Sequence, residues 1–238
     1  MSRIVLYLVL VVLANAAPPL VPMEPIEFDL TPFIPVPSEE ADGEELFGGD
    51  QCVDGVNNVI KVADAKAGLS IQLSNVEART YDKDGRPSCH KSRARLAIPG
   101  QIKAVGGRLI VKQPFDLKKQ AHVKLTVRKS SFLVGTVCQD GKAKSKLIKG
   151  DVCTQPIKSP KGEFPEKIVT MLKTPGTYEL SELAKIAGVP MTFAIPSIPG
   201  AAKVAAKGDW KVSAVVVSEN REIAAVKVPS NTEWVYIN

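Results

Sequence analysis

The 238-residue chain is poor in the groups that most chemistry needs. It has two histidines, His90 and His122, and neither lies in a G-x-S-x-G or H-E-x-x-H motif. His90 follows Cys89 in a turn-like stretch and His122 opens an exposed strand-like one, so both read as surface histidines rather than as the base of a nucleophile–base–acid set. No glycine-rich loop of the phosphate-cradling kind occurs, and the expectation is no catalysis and no cofactor. Four cysteines lack paired close spacing and the histidines do not complete a ligand set, which argues against a metal site. Aromatic residues make up 5%, too few to interleave with bases as a stacking platform, so nucleic acid is not an expected partner. Beyond residues 4–13 no apolar run approaches the ~20 residues that a membrane-spanning helix needs.

What is present divides into three parts. Residues 1–16 carry Arg3, a ten-residue apolar core from Ile4 to Leu13, and Ala14-Asn15-Ala16. A basic start, a short apolar centre and an Ala-x-Ala exit predict a secretory leader cleaved after Ala16, and hence a secreted, lysosomal or otherwise luminal protein. Residues 17–50 hold seven prolines and nine acidic residues but no lysine or arginine. Missing backbone donors and mutual repulsion predict an extended, disordered arm or propeptide. Residues 51–238 are the expected folded domain.

Setting the first two parts aside changes the charge balance. The domain has 30 basic and 16 acidic residues, a net charge of +14. Such a domain attracts anionic partners, an anionic membrane surface or an acidic glycan among them. Short clusters stand out at Lys118-Lys119 and at Lys142, Lys144, Lys146 and Lys149.

The even number of cysteines fits an oxidising compartment. Four allow three pairings. Cys138 and Cys153 flank one polar excursion, so their closure is local and favoured, which leaves Cys52 with Cys89 by elimination.

Periodicity reads as β structure. Trp210, Val212, Ala214 and Val216 share one face at period two, and Ser218-Glu219-Asn220-Arg221 turns this run into Ile223–Val228, a hairpin. Further strands are expected at 58–63, 69–73, 76–81, 92–98, 108–112, 122–128 and 132–137, with Pro99-Gly100 and Gly106-Gly107 as punctuation. Many short strands predict a sandwich or barrel. Helix is expected only at 166–172, after Pro165, and at 181–187, with Ser181 as N-cap and Gly188-Val189-Pro190 as its end.

The order of motifs then carries a resemblance. A strand enters Cys138, a disulfide loop closes at Cys153, and Gly176-Thr177-Tyr178-Glu179-Leu180 follows. Phe193-Ala194-Ile195-Pro196-Ser197-Ile198-Pro199-Gly200 and the Gly208-Asp209-Trp210-Lys211-Val212 hairpin complete the series, with Asp50-Gln51-Cys52 as the opening cysteine. This arrangement resembles the ML lipid-recognition family, especially its ganglioside-activator branch. The resemblance implies an all-β, immunoglobulin-like antiparallel sandwich with one or two short helices, an apolar inter-sheet cavity for a lipid tail, and no enzymatic activity. One position departs from it. The family's opening cysteine bonds to a cysteine on the last hairpin, where this chain has Ala225, so Cys52 either pairs with Cys89 or is free.

An acyl chain is a plausible cargo on energetic grounds, since burying a 16-carbon tail at ~0.8 kcal/mol per CH₂ is worth on the order of 10 kcal/mol before ordering costs. Candidate lining residues are Phe132, Val134, Ile168, Leu172, Phe193, Ile195, Ile198 and Trp210, any of which also serves as ordinary core. Pro196–Val204 and Met171-Leu172 are the expected mouth, with Lys173 and Lys203 placed for an anionic head group. The expected function is a secreted lipid or glycolipid binder that carries or presents lipid, with a lipid-processing enzyme or receptor as its further partner. The alternatives are an extracellular recognition module for microbial lipid or anionic glycan, and a structural secreted sandwich with a filled core.

Overall fold

The computed structural model describes residues 51–116, 121–131, 134–145, 152–157, 166–188 and 190–238. They form an all-β sandwich, largely antiparallel, in which one long ribbon of strands curls into two layers. The first layer contains β1 (Val59–Asp64), β2 (Ile71–Asp82) and β5 (Gly100–Val111). Against the far side of β5 lie two short strands end to end, β10 (Gly176–Glu179) and β11 (Thr192–Ile195). The second layer is built on β12 (Gly208–Ser218), flanked by β6 (Ala121–Lys129) on one side. On its other side are β13 (Arg221–Val228) and then β14 (Val235–Ile237). The β7 (Thr136–Gln139), β8 (Lys142–Ala143) and β9 (Thr154–Pro156) strands extend the β6 edge. At the opposite edge, β3 (Cys89–His90) pairs with β4 (Arg93–Leu96), which pairs in parallel with β14. Because β1 bonds to both β2 and β13, it is the fold line between layers.

The alternation in sequence explains which face each strand buries. On β12, Trp210, Val212, Ala214 and Val216 are buried, as on β6 are Val123, Leu125 and Val127. On the first layer, Ile60, Val76, Ala78, Ile102 and Ala104 do the same, and both sets join one continuous core. The β12–β13 turn is Glu219-Asn220, tighter than a four-residue reading, with φ of 48° and 61°. Two successive positive φ values match the right-handed twist of the flanking strands.

Three expectations change. The runs at 69–73 and 76–81 are one strand, β2, with its register shifting between Ser74 and Glu77. Gly106-Gly107 does not end a strand but lies inside β5, where Gly107 has φ of +129°. A Cβ there would lie 2.7 Å from the Val76 Cα, so glycine permits the two strands to approach. Third, the helices number three among the described residues: α1 (Glu166–Lys173), α2 (Leu180–Ala187) and α3 (Gly200–Ala206).

The first two helices lie where periodicity puts them, each burying one apolar stripe: Ile168, Val169 and Leu172 on α1, and Leu180, Leu183, Ala184 and Ala187 on α2. The N-cap of α2 is Glu179 rather than Ser181, because β10 runs through Glu179 and the buried Leu180 is already helical. Gly188 closes it in the left-handed conformation. Pro165 and Val189 lie outside the described residues.

Both disulfides, Cys138–Cys153 and Cys52–Cys89, are those favoured from spacing. On loop-entropy grounds, closing the 15-residue separation contributes about 3 kcal/mol and the 37-residue one about 4 kcal/mol.

Candidate functional site

The strand register divides the sandwich into two ends with different chemistry. β5 pairs with β11 near Gly100 and with β10 near Val111, while β12 begins beside β14 and finishes at the 219–220 turn. One end therefore gathers β11, the start of β12 and the close of β6. The other gathers the β1–β2 loop, the exit of β5, the end of α1 and the β12–β13 turn.

At the first end the chain crosses from one layer to the other. After β11 it runs through Pro196–Pro199 and α3 into β12. Phe193 sits opposite Ile102, and Ile195 opposite Gly100, so both share the inward face of the first layer. Ile102 is sealed, yet Phe193 and Ile195 are only half-buried because β11 is an edge strand. Met191 and Ile198 are half-buried beside the same core, and Val204 on α3 is 75% exposed. This is a row of apolar side chains that points inward but is incompletely covered.

A helix of seven residues is marginal by itself, and its last carbonyls need partners. Two donors from the second layer supply them. Trp210 donates its indole N–H to the Ala206 carbonyl at 2.6 Å, and the Lys129 ammonium donates to the Ala205 carbonyl at 2.7 Å. The Lys129 Nζ also lies 5.3 Å from the centre of the Trp210 ring, a cation–π distance. Burial lowers the Lys129 pKa below the usual lysine value. Thus α3 is pinned at its C-terminal end by two donors of the second layer.

The other end holds a cleft of about 550 Å³ lined by Leu69, Pro114, Phe115 and Ile223 together with polar side chains. Lys173 pairs with Asp116 at 3.1 Å, and Lys66 pairs with Glu222 at 2.6 Å. The Phe115 amide donates to the Leu172 carbonyl at 2.8 Å, joining the end of α1 to the exit of β5. Ser70 donates to the Gln113 amide oxygen at 3.1 Å. This cleft mixes charges of both signs over an apolar floor.

The candidates chosen from sequence therefore split between the ends. Phe193, Ile195, Ile198, Val134, Trp210 and Lys203 belong to the α3 end; Lys173 lines the cleft, and Leu172 touches it only through its carbonyl, which accepts from the Phe115 amide. Ile168, Leu172 and Trp210 are almost fully buried in the core, whereas Val134, Phe193, Ile195 and Ile198 are partly buried at its margin. Phe132 lies outside the described residues, as do Lys118, Lys119, Lys146 and Lys149. Lys203 is exposed on α3, and Lys173 already has a carboxylate partner. Sequence reasoning missed Met191, because it stands alone between a proline and a threonine. It also missed Lys129, whose role exists only when β6 lies beside β12.

The histidines lie on different strands, His90 on β3 and His122 on β6. His90 stacks on Tyr236 with ring centres 3.9 Å apart, and its pKa is lowered first by burial and then by Lys91 and Arg93. His122 lies in the sheet between Pro156 and Val217. Among the described residues, no cluster of three or more His, Cys, Asp or Glu side chains is arranged to hold a metal ion.

No protein-family model matches the chain, and no curated protein matches its sequence. Among solved structures, a Niemann-Pick type C2 protein from the Japanese carpenter ant is similar over 75% of this chain and 98% of its own, with 12% identity and a TM-score of 0.30, a likeness too distant to carry a functional argument.

Proposed function

We propose that this chain is a secreted, non-enzymatic lipid-binding sandwich that takes an acyl chain at the end crossed by α3. The observation that carries the reading is the half-covered inward row of Phe193, Ile195 and Ile198, flanked by Met191 and by the exposed Val204. Inward-facing apolar groups left partly in contact with water gain from an apolar occupant, at ~25 cal/mol per Å² covered. The motif order noted in the sequence, the sandwich itself and the paired cysteines support the same reading. Lys203 stands on α3 beside Val204, placed to meet an anionic head group. A carrier or presenting role follows if the bound lipid exchanges with membranes or with a lipid-processing partner.

The test is native mass spectrometry of the secreted protein with organic extraction, followed by titration with a fluorescent fatty acid. The expected result is a bound lipid, or a saturable probe site that Phe193→Asp weakens. A protein that is empty and refuses the probe would establish the filled-core alternative.

A further inference from the structure

A second surface lies on the outer face of the second layer, away from β11 and the half-covered row of Phe193, Ile195 and Ile198. The strand register fixes its composition. Arg128 is directly opposite Lys211, Thr126 opposite Ser213, and Lys124 opposite Val215, while Lys227 on β13 is opposite Ser213. Directly opposed residues share a face and alternate residues along a strand return to it, so Lys124, Arg128, Lys211 and Lys227 all project from the solvent side. Lys124 and Arg128 are four residues apart on one strand, about 13 Å, and Lys211 lies one strand across from Arg128.

Two features set this patch apart from lysines that merely solvate a sheet. Arg128 and Lys211 are like charges in a directly opposed pair, an arrangement that disfavours the sheet. Lys124, Arg128 and Lys227 also make no ion pair among the described residues, and Lys211 has a single carboxylate partner, Glu233, at 3.4 Å. The other carboxylates at this face are Asp209, paired with Arg93 at 2.6 Å, and Asp140, whose amide N–H donates to Thr126 Oγ1 at 3.0 Å. Lys142 and Lys144 stand exposed at the adjoining edge. The cations thus outnumber the acids and are interleaved with hydroxyls, Ser213 and Thr126 between them and Thr154 beside Lys124.

We propose that this face binds an extended, hydroxyl-rich polyanion, a sulfated or carboxylated polysaccharide, lying across β6, β12 and β13. A rank of cations interleaved with hydroxyls matches a polymer that carries acid groups and hydroxyls along its length. Trp234, half-buried with the Lys211 Nζ 4.1 Å from its ring centre, gives the patch an apolar step at one end against which a sugar ring can rest. A bilayer fits less well, because among the described residues the exposed large apolar side chains are Val53, Val56, Val105 and Val204, and none of these lies on this face to insert. The site is independent of the proposed lipid site.

The experiment measures binding of the full chain to immobilised heparin, and separately to vesicles of phosphatidylcholine with about one-third phosphatidylserine, at about 0.15 M salt. The charge-neutralising triple variant Lys124→Gln, Arg128→Gln, Lys227→Gln is compared with Lys103→Gln, Lys185→Gln, which removes two exposed cations from β5 and α2, away from this face. The expected result is heparin binding that weakens with salt, falls by about tenfold or more in the triple variant, and changes less than about threefold in the control. Circular dichroism confirms that both variants keep the native sheet signal, and the single variant Lys227→Gln, at an exposed position, repeats the comparison if the triple variant unfolds. Absence of heparin binding by the parent chain would overturn the proposal. So would equal losses in the two variants, or binding to vesicles alone through these residues.

Discussion

Trp210→Phe tests whether α3 is held against the second layer by its two side-chain donors. The substitution keeps an aromatic ring on the inner face of β12 but deletes the indole N–H that reaches the Ala206 carbonyl at 2.6 Å. Trp210 and Ala206 are both buried, so that carbonyl loses its partner where water does not readily replace it, a cost of about 1–3 kcal/mol. The smaller ring leaves space against the core, adding about 1 kcal/mol. The expected destabilisation is therefore about 2–4 kcal/mol in urea unfolding followed by far-ultraviolet circular dichroism, with an unchanged slope. Hydrogen exchange adds the local readout: residues 200–206 should exchange faster than the global loss of stability explains, because a helix of this length does not persist undocked. Lys129→Met, which keeps the stem but removes the bond to the Ala205 carbonyl, should cost about 1 kcal/mol and accelerate the same segment. Loss of less than about 0.5 kcal/mol in Trp210→Phe, with exchange of 200–206 unaltered, would refute the pinning argument.

Two further outcomes follow from the fold. Gly107→Ala should cost about 2–3 kcal/mol, since its Cβ would press on the Val76 Cα at 2.7 Å and its φ is +129°, while the neighbouring Gly106→Ala, which meets nothing within 4 Å, should change stability by less than about 1 kcal/mol; equal effects in thermal or urea unfolding would contradict the close-approach account. His90 has a folded-state pKa below its ordinary value, chiefly through burial, so the unfolded chain binds the proton more readily. Its contribution is thus fully present above the unfolded pKa of about 6.5 and is lost as pH falls through the lower folded value. His90→Gln should flatten the stability profile in that window, and an unchanged slope would remove His90 as its source.

The sequence by itself determined the strands whose alternation is strict and the partners whose spacing is local. β6, β12 and β13 were legible because period-two burial leaves its mark on residue choice, and Gly188 marked the end of α2 for the same reason of local backbone geometry. The cysteine pairs were legible from separation and elimination. The glycine pair in β5 was misleading, because glycine marks a turn and a close strand approach alike, and only the neighbour across the sheet distinguishes them. Tertiary structure alone decided how the candidate site is divided. Leu172 and Phe193 look equally apolar along the chain, yet one is sealed in the core and the other lies on an edge strand with its inward face half open. The pinning of α3 by Lys129 and Trp210, and the assembly of Lys124, Arg128, Lys211 and Lys227 on one face, depend on which strand lies beside which. Local sequence carries periodicity and turn chemistry, whereas cross-strand register joins residues scores of positions apart, and no local signal encodes that.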